Sequence, residues 1–258
     1  MVLFLHGLNR GGACWAPLVR AADWGGVIAP DHPGHGSGER LARYRVLDYL
    51  PSVLRHVEAH PGCVVFGHSL GAMLALAAAA ERPAHVKAVI LEDPPFHTMG
   101  RRLPGTDLHS YFEALITMAS HGLPLPEAAR RIGALEFRAG QATRRIRDVR
   151  DATQLRLMAA FLRHVDPRAV EAVLDGGWLD GYDEQVLMRR VRCPVLLFQS
   201  DPASGGMLTD EDAAALQATG ADITHVRLTG AGHQSHWQNP ALVVNHALAF
   251  VTSLEEPA

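Results

Sequence analysis

The chain reads as an α/β protein with a doubly wound, mostly parallel sheet and an inserted helical cap. Three observations carry that expectation. Short Val/Ile/Leu runs are apolar nearly throughout, as strands covered on both faces must be. Helical patterning separates them, the alternation that builds a parallel sheet. Between Asp93 and Cys193 the alternation stops, and about a hundred residues show helical periodicity alone.

Strands are expected at 2–5, 26–30, 63–67, 87–92, 194–199 and 223–228, with helices near 13–22, 40–59, 70–81, 210–219 and 240–254. Residues 1–95 and 191–258 are therefore assigned to the core and 96–190 to the cap. The cap is broken at Gly100, Gly105, Pro124, Pro126, Gly140, Pro167 and Gly176-Gly177. In an open α/β sheet, ligands bind beyond the carboxyl ends of the strands. The chemistry-bearing loops should gather there.

Composition sets limits. With 258 residues the chain can bury a substantial core. A formal charge of −3 gives no footing for nucleic acid or an anionic membrane surface. The longest apolar run, 72–80, is too short to span a bilayer. No basic segment followed by an apolar stretch marks a signal peptide. Cys14, Cys63 and Cys193 are odd in number and lack C-x-x-C spacing, so reduced structural thiols in the cytoplasm are expected. No His/Cys/Asp spacing suggests a metal, and no cofactor is expected. Arg130, Arg131, Arg138, Arg144, Arg145, Arg147 and Arg150 make the middle of the cap basic, facing only Glu136 and Asp148 locally. A solvated helix face is the expected role, ahead of attraction of an anionic substrate.

The motif richest in chemistry is Val64-Val65-Phe66-Gly67-His68-Ser69-Leu70-Gly71-Ala72. A strand, a G-x-S-x-G turn and a small-residue helix in that order lift one hydroxyl clear of the sheet and aim helix amides at it. Upstream, Val2-Leu3-Phe4-Leu5 ends in His6-Gly7-Leu8, and Asp31-His32-Pro33-Gly34-His35-Gly36 forms a glycine-rich loop. Near the end, Val226-Arg227-Leu228 leads into Gly230-Ala231-Gly232-His233. Together these motifs, over nearly the whole chain, resemble the α/β-hydrolase superfamily. Members usually carry two antiparallel strands before the His-Gly strand. Here Met1 opens that strand: either this form is trimmed or the sheet is shorter than usual, and in the second case segment 27–29 is expected as an exposed sheet edge that a homodimer partner would cover.

The resemblance implies a serine hydrolase, carboxylesterase-like, acting on a small-molecule ester or related carbonyl. Ser69 would be the nucleophile and His233 its base; a serine hydroxyl needs such a base, and the base needs an acid to orient it. Two stations for the acid occur in the superfamily. Asp93, 24 residues beyond Ser69, is the preferred candidate, and Asp201 after the penultimate strand is the alternative. Glu92, adjacent on a strand, should point away from Asp93. The backbone amides of Leu8 and Leu70 are the expected oxyanion donors. Trp15, Phe96, Trp178 and Trp237 are candidate walls of an acyl pocket, with ordinary core packing the more expected role for each. His6, His32 and His35 should make structural hydrogen bonds, and His68 should point away from the reacting groups. Amidases, deformylases, lactonases and C–C hydrolases share the scaffold, and some members are ligand receptors.

Overall fold

The computed structural model describes residues 1–139 and 142–254. Gly140, one of the expected breaks, and residues 255–258, assigned to the core, lie outside that range. The strands are β1 (Val2–Leu5), β2 (Val27–Ile28), β3 (Cys63–His68), β4 (Val86–Glu92), β5 (Glu136–Ala139), β6 (Ala142–Arg145), β7 (Val195–Ser200) and β8 (Ile223–Leu228). The helices before β4 are α1 (Ala16–Arg20), α2 (Leu50–Ala59) and α3 (Leu70–Glu81). Those inserted between β4 and β7 are α4 (Asp107–Ser120), α5 (Leu125–Ala134), α6 (Ala152–Leu162), α7 (Pro167–Leu174) and α8 (Glu184–Arg190). α9 (Asp210–Gln217), α10 (Ser235–Gln238) and α11 (Pro240–Ser253) complete the core.

Six strands form one sheet in the order β2-β1-β3-β4-β7-β8, every neighbouring pair parallel. Strand periodicity sends alternate residues to opposite faces. Leu3, Leu5, Val65, Val89, Leu91, Val195 and Leu197 enter one core. Val2, Phe4, Val64, Phe66, Ala88, Ile90, Leu196 and Phe198 enter the other. Each fully buried side chain of this size contributes roughly 1.5–3 kcal/mol. The chain order turns back at β1 and β3, whose carboxyl ends carry Leu8 and Ser69, the place where doubly wound sheets bind ligands.

α3 is buried from Leu70 to Ala80. A helix apolar all round needs cover on every side. β3, β4, α2 and α8 supply it, and the alanines keep the helix slim enough to fit between them.

Several elements differ from expectation. The helix expected over 40–59 begins only with a 3₁₀ turn at Val46–Asp48, followed by α2. Polar side chains claim the backbone before it. The Leu41 amide donates to the Tyr44 hydroxyl, and the Arg45 amide to the Asp48 carboxylate. The segment 13–22 splits into a 3₁₀ turn (Gly12–Trp15) and α1, since Pro17 has no amide to continue the earlier turn. β2 is two residues long and occupies the sheet edge, with Val27 exposed.

The insert is not all helical. β5 and β6 pair antiparallel, Glu136 opposite Arg145 and Phe137 opposite Arg144. All four β6 residues are exposed, so no apolar alternation announces the hairpin. Among the described residues, no helix is long and apolar enough to cross a membrane.

Candidate active site

Ser69 sits between β3 and α3 at φ 55°, ψ −120°, a backbone conformation that costs of order 1–3 kcal/mol and is held by its surroundings. Its amide donates to the Glu92 carbonyl at 2.9 Å, and its own carbonyl accepts from Ala72 and Met73. The two flanking glycines make the turn sterically feasible. A Cβ on Gly67 would overlap the Gly71 carbonyl, and one on Gly71 would overlap the Leu5 carbonyl. The loop after β1 passes just as near: a Cβ on Gly7 would stand 3.0 Å from that of Ser69. Leu8 thereby lines the same cavity as the serine. Among the described residues, the amides of Leu8 and Leu70 donate to no protein acceptor.

His233, on the loop after β8, donates from Nδ1 to Asp93 Oδ2 at 2.6 Å. Asp93 is fully buried at φ 47°. Its carboxylate also accepts the amides of Ser200 (3.2 Å), Met207 (2.8 Å) and Leu208 (3.1 Å). Four donors hold one buried carboxylate, so its orientation is fixed. Asp201 is engaged elsewhere. It accepts the amides of Ala203 and Gly230, each at 2.9 Å, and caps the turn that follows β7. Of the two aspartates, only Asp93 is hydrogen-bonded to His233.

Behind these groups, His68 Nε2 donates to the His233 carbonyl at 2.7 Å. Burial, then the neighbouring His233 and His236, push the His68 pKa well below its ordinary value, so the ring is neutral. Glu92 turns to His236, accepting its amide at 2.9 Å and its Nδ1 at 2.8 Å. His68, Glu92 and His236 have ligand-capable atoms within 4.8 Å of one another, close enough to hold a cation. Those positions lie far apart in the sequence, so spacing gave no sign of the cluster. Its polar atoms already serve one another and the His233 loop.

The histidines of the first loops interlock. The His32 amide donates to His6 Nε2 (2.9 Å), and His32 Nε2 donates to the His6 carbonyl (3.0 Å). The Asn9 amide donates to His35 Nε2 (3.1 Å), whose Nδ1 donates to the Pro33 carbonyl (3.0 Å). Burial lowers the His32 pKa to about 3 and that of His35 to about 4; His6 is also well below its ordinary value. Among the described residues the three cysteines are buried and free, and burial raises their pKa values.

Ser69 and His233 open together onto a cavity of about 560 Å³ between core and insert. Leu108, Tyr111, Phe112, Val149 and Met158 supply apolar walls from the insert. The four candidate wall aromatics are not among its lining residues. Trp15, Phe96 and Trp178 are swallowed by the core, and Trp237 packs behind the lining with its Nε1 donating to the Cys14 carbonyl at 3.1 Å. Trp15 stacks on His236, ring centroids 4.5 Å apart. Large aromatic area favours burial, but it does not say on which side of a loop the ring falls.

The basic stretch divides. Arg130, Arg131, Arg144, Arg145 and Arg147 are exposed, as a solvated face requires. Arg130 and Arg131 pair with Glu127, a partner the local reading lacked, and Arg145 with Glu136. Arg138, also exposed, and Arg150 line the cavity, and Arg150 donates to the Gln234 Oε1 at 2.8 Å.

A parallel sheet carrying a strained serine beyond one strand and a histidine–aspartate pair beyond others defines a class, and the chain belongs to it: the alpha/beta hydrolase family, whose model matches residues 2–246. Among curated proteins it is similar to the human monoglyceride lipase, 41% identical over 76 residues, 26% of this chain and 25% of that protein. It is also similar to the 2-(acetamidomethylene)succinate hydrolase of Mesorhizobium japonicum, 34% identical over 97 residues, 36% of this chain and 35% of that protein. The matched stretches thus span well under half of these relatives. Among solved structures, the N-formylmaleamic acid deformylase of Pseudomonas putida superposes with a TM-score of 0.76 at 21% identity, over 95% of this chain and 90% of that one. At that identity the likeness is one of fold.

Proposed function

We propose that the protein hydrolyses a carboxylic ester or closely related acyl compound through an acyl-enzyme on Ser69. The hydrogen bond from His233 Nδ1 to the buried Asp93 is the observation that carries this reading. With Nδ1–H committed to the carboxylate, Nε2 keeps its lone pair and serves as the base. Nε2 takes the Ser69 proton as the oxygen attacks the carbonyl. Asp93 stabilises the resulting imidazolium. The amides of Leu8 and Leu70 receive the oxyanion, each contributing about 3–4 kcal/mol to the transition state. The imidazolium then protonates the leaving group, and water repeats the cycle on the acyl-serine.

Similarity to a monoglyceride lipase and to a 2-(acetamidomethylene)succinate hydrolase agrees with a hydrolytic reaction while naming different compounds. The test is labelling by a fluorophosphonate with the modified peptide located by mass spectrometry, beside turnover of ester, lactone and N-formyl substrates. The label should fall on Ser69, and Ser69→Ala should lose both label and turnover. A labelled Ser69 with no multiple turnover on any of the three substrate types would indicate a ligand receptor instead.

A further inference from the structure

Of the three arginines that line the cavity, Arg138 is exposed, while Arg10 and Arg150 are withdrawn from solvent and form no ion pair among the described residues. Arg10 follows Leu8 by two positions on the loop after β1 and is 8% exposed. Its Nη1 donates to the Asn9 carbonyl at 2.8 Å, while its Nε, shielded from solvent, finds no partner among the described residues. Arg150 comes from the insert, donates to Gln234 beside His233, and is half-buried. Both guanidiniums stand over the ring of Trp237, at 5.4 and 5.9 Å from its centroid. Stacking on an indole accommodates the flat face of a guanidinium and leaves its edge donors directed outward.

Neither arginine forms an ion pair with an acidic side chain among the described residues. Asp107, at the start of α4, is the one acidic side chain among the described lining residues, and it is exposed. Burial and the nearby Arg10 lower the Arg150 pKa to about 10, with Tyr111 and Asp151 opposing the shift, so two like charges share a poorly solvated place. Keeping two such cations together is costly unless an anion joins them. The apolar walls of the cavity, Leu108, Phe112, Val149 and Met158, suit the carbon skeleton of a small organic acid, and a guanidinium edge matches a carboxylate with two parallel hydrogen bonds.

We propose that Arg10 and Arg150 form a carboxylate-binding subsite, so that the substrate carries a carboxylate near its scissile bond. As to the reaction, this rests on the acyl-transfer reading of Ser69. The location beside Leu8 and His233 places the anion within one small molecule's length of the reacting carbonyl. The subsite selects acidic acyl compounds over neutral lipids of the same size.

Two measurements decide it. The first is calorimetry of adipate with the Ser69→Ala protein. Saturable binding is expected, weakened at least tenfold when Arg150→Gln is added. Adipate that fails to bind, or binds both proteins alike, overturns the subsite; inorganic phosphate binding more tightly than adipate overturns its assignment to a carboxylate. The second compares kcat/KM in the unaltered enzyme for 4-acetoxybenzoate against its methyl ester, and for the 4-nitrophenyl monoester of adipic acid against its methyl ester. At least one acid should exceed its neutral partner tenfold, although methyl 4-acetoxybenzoate has the intrinsically better leaving group. That ratio should drop at least fivefold in Arg150→Gln and in Arg10→Gln; being internal to each variant, it is insensitive to partial misfolding. Equal values for acids and esters overturn the proposal. If no ester is turned over and the fluorophosphonate leaves Ser69 unlabelled, the hydrolase reading fails, and calorimetry decides the subsite alone.

Discussion

Acidification from pH 7 to pH 5 should destabilise the fold through His32 and His35. His35 Nε2 accepts the Asn9 amide and cannot do so once protonated. Burial is the main cause of its depressed pKa. Asp31 and Asp166 oppose the shift, and Arg40 adds to it; for His32 the chief neighbour is His35 itself. The folded values, about 4 and about 3, lie below the ordinary histidine value near 6.5. Between those limits the unfolded chain binds more protons, so stability rises with pH and is lost as pH falls below about 6.5. At about 1.4 kcal/mol per unit, each ring contributes a loss of about 2 kcal/mol by pH 5, and the pair about 4 kcal/mol. His6 and His68, also lowered, act in the same direction. That is a large fraction of the roughly 5–15 kcal/mol that holds a typical domain folded. Urea unfolding at pH 7 and pH 5, followed by tryptophan fluorescence, measures it. His35→Gln, which keeps an acceptor for the Asn9 amide without titrating, should reduce the pH-dependent loss by about 2 kcal/mol. A wild-type loss under about 1 kcal/mol, or the same loss in His35→Gln, would refute the reasoning.

Asp93→Asn should lower kcat by roughly 10³–10⁴-fold, as expected when the base loses its orienting carboxylate, whereas Asp201→Asn should cost stability of about 1 kcal/mol and leave kcat within a few-fold; steady-state kinetics on both separates them. Gly71→Ala drives a methyl group into the Leu5 carbonyl and should destabilise by about 1–3 kcal/mol, read from the urea midpoint. Tyr44 donates its hydroxyl to Asp166 at 2.8 Å and accepts the Leu41 amide at 3.0 Å. Tyr44→Phe should therefore cost about 1–3 kcal/mol, and thermal unfolding will report it.

The parallel sheet was legible because its strands are apolar on both faces, and the turn at Ser69 because strand, glycines and helix follow one another without a gap. The hairpin β5–β6 was not: Glu136, Arg138, Arg144 and Arg145 are exposed residues with no core to impose a period of two. Choosing between Asp93 and Asp201 needed the third dimension, because each follows a strand and only the hydrogen-bond partners tell them apart. The link from Glu92 to His236 joins positions 144 residues apart, beyond any local pattern. Arg150 looked like its neighbours in a basic run, and only the path of the chain after β6 separates it from them. Trp15, Phe96 and Trp178 took the core positions that large aromatic area favours.

The bond from His68 to the His233 carbonyl ties the residue next to the serine to the backbone that bears the histidine, wholly within the core. The insert contributes nothing to that tie. The pairing of Ser69's neighbour with the His233 loop is thus independent of which side chains the insert presents to the cavity.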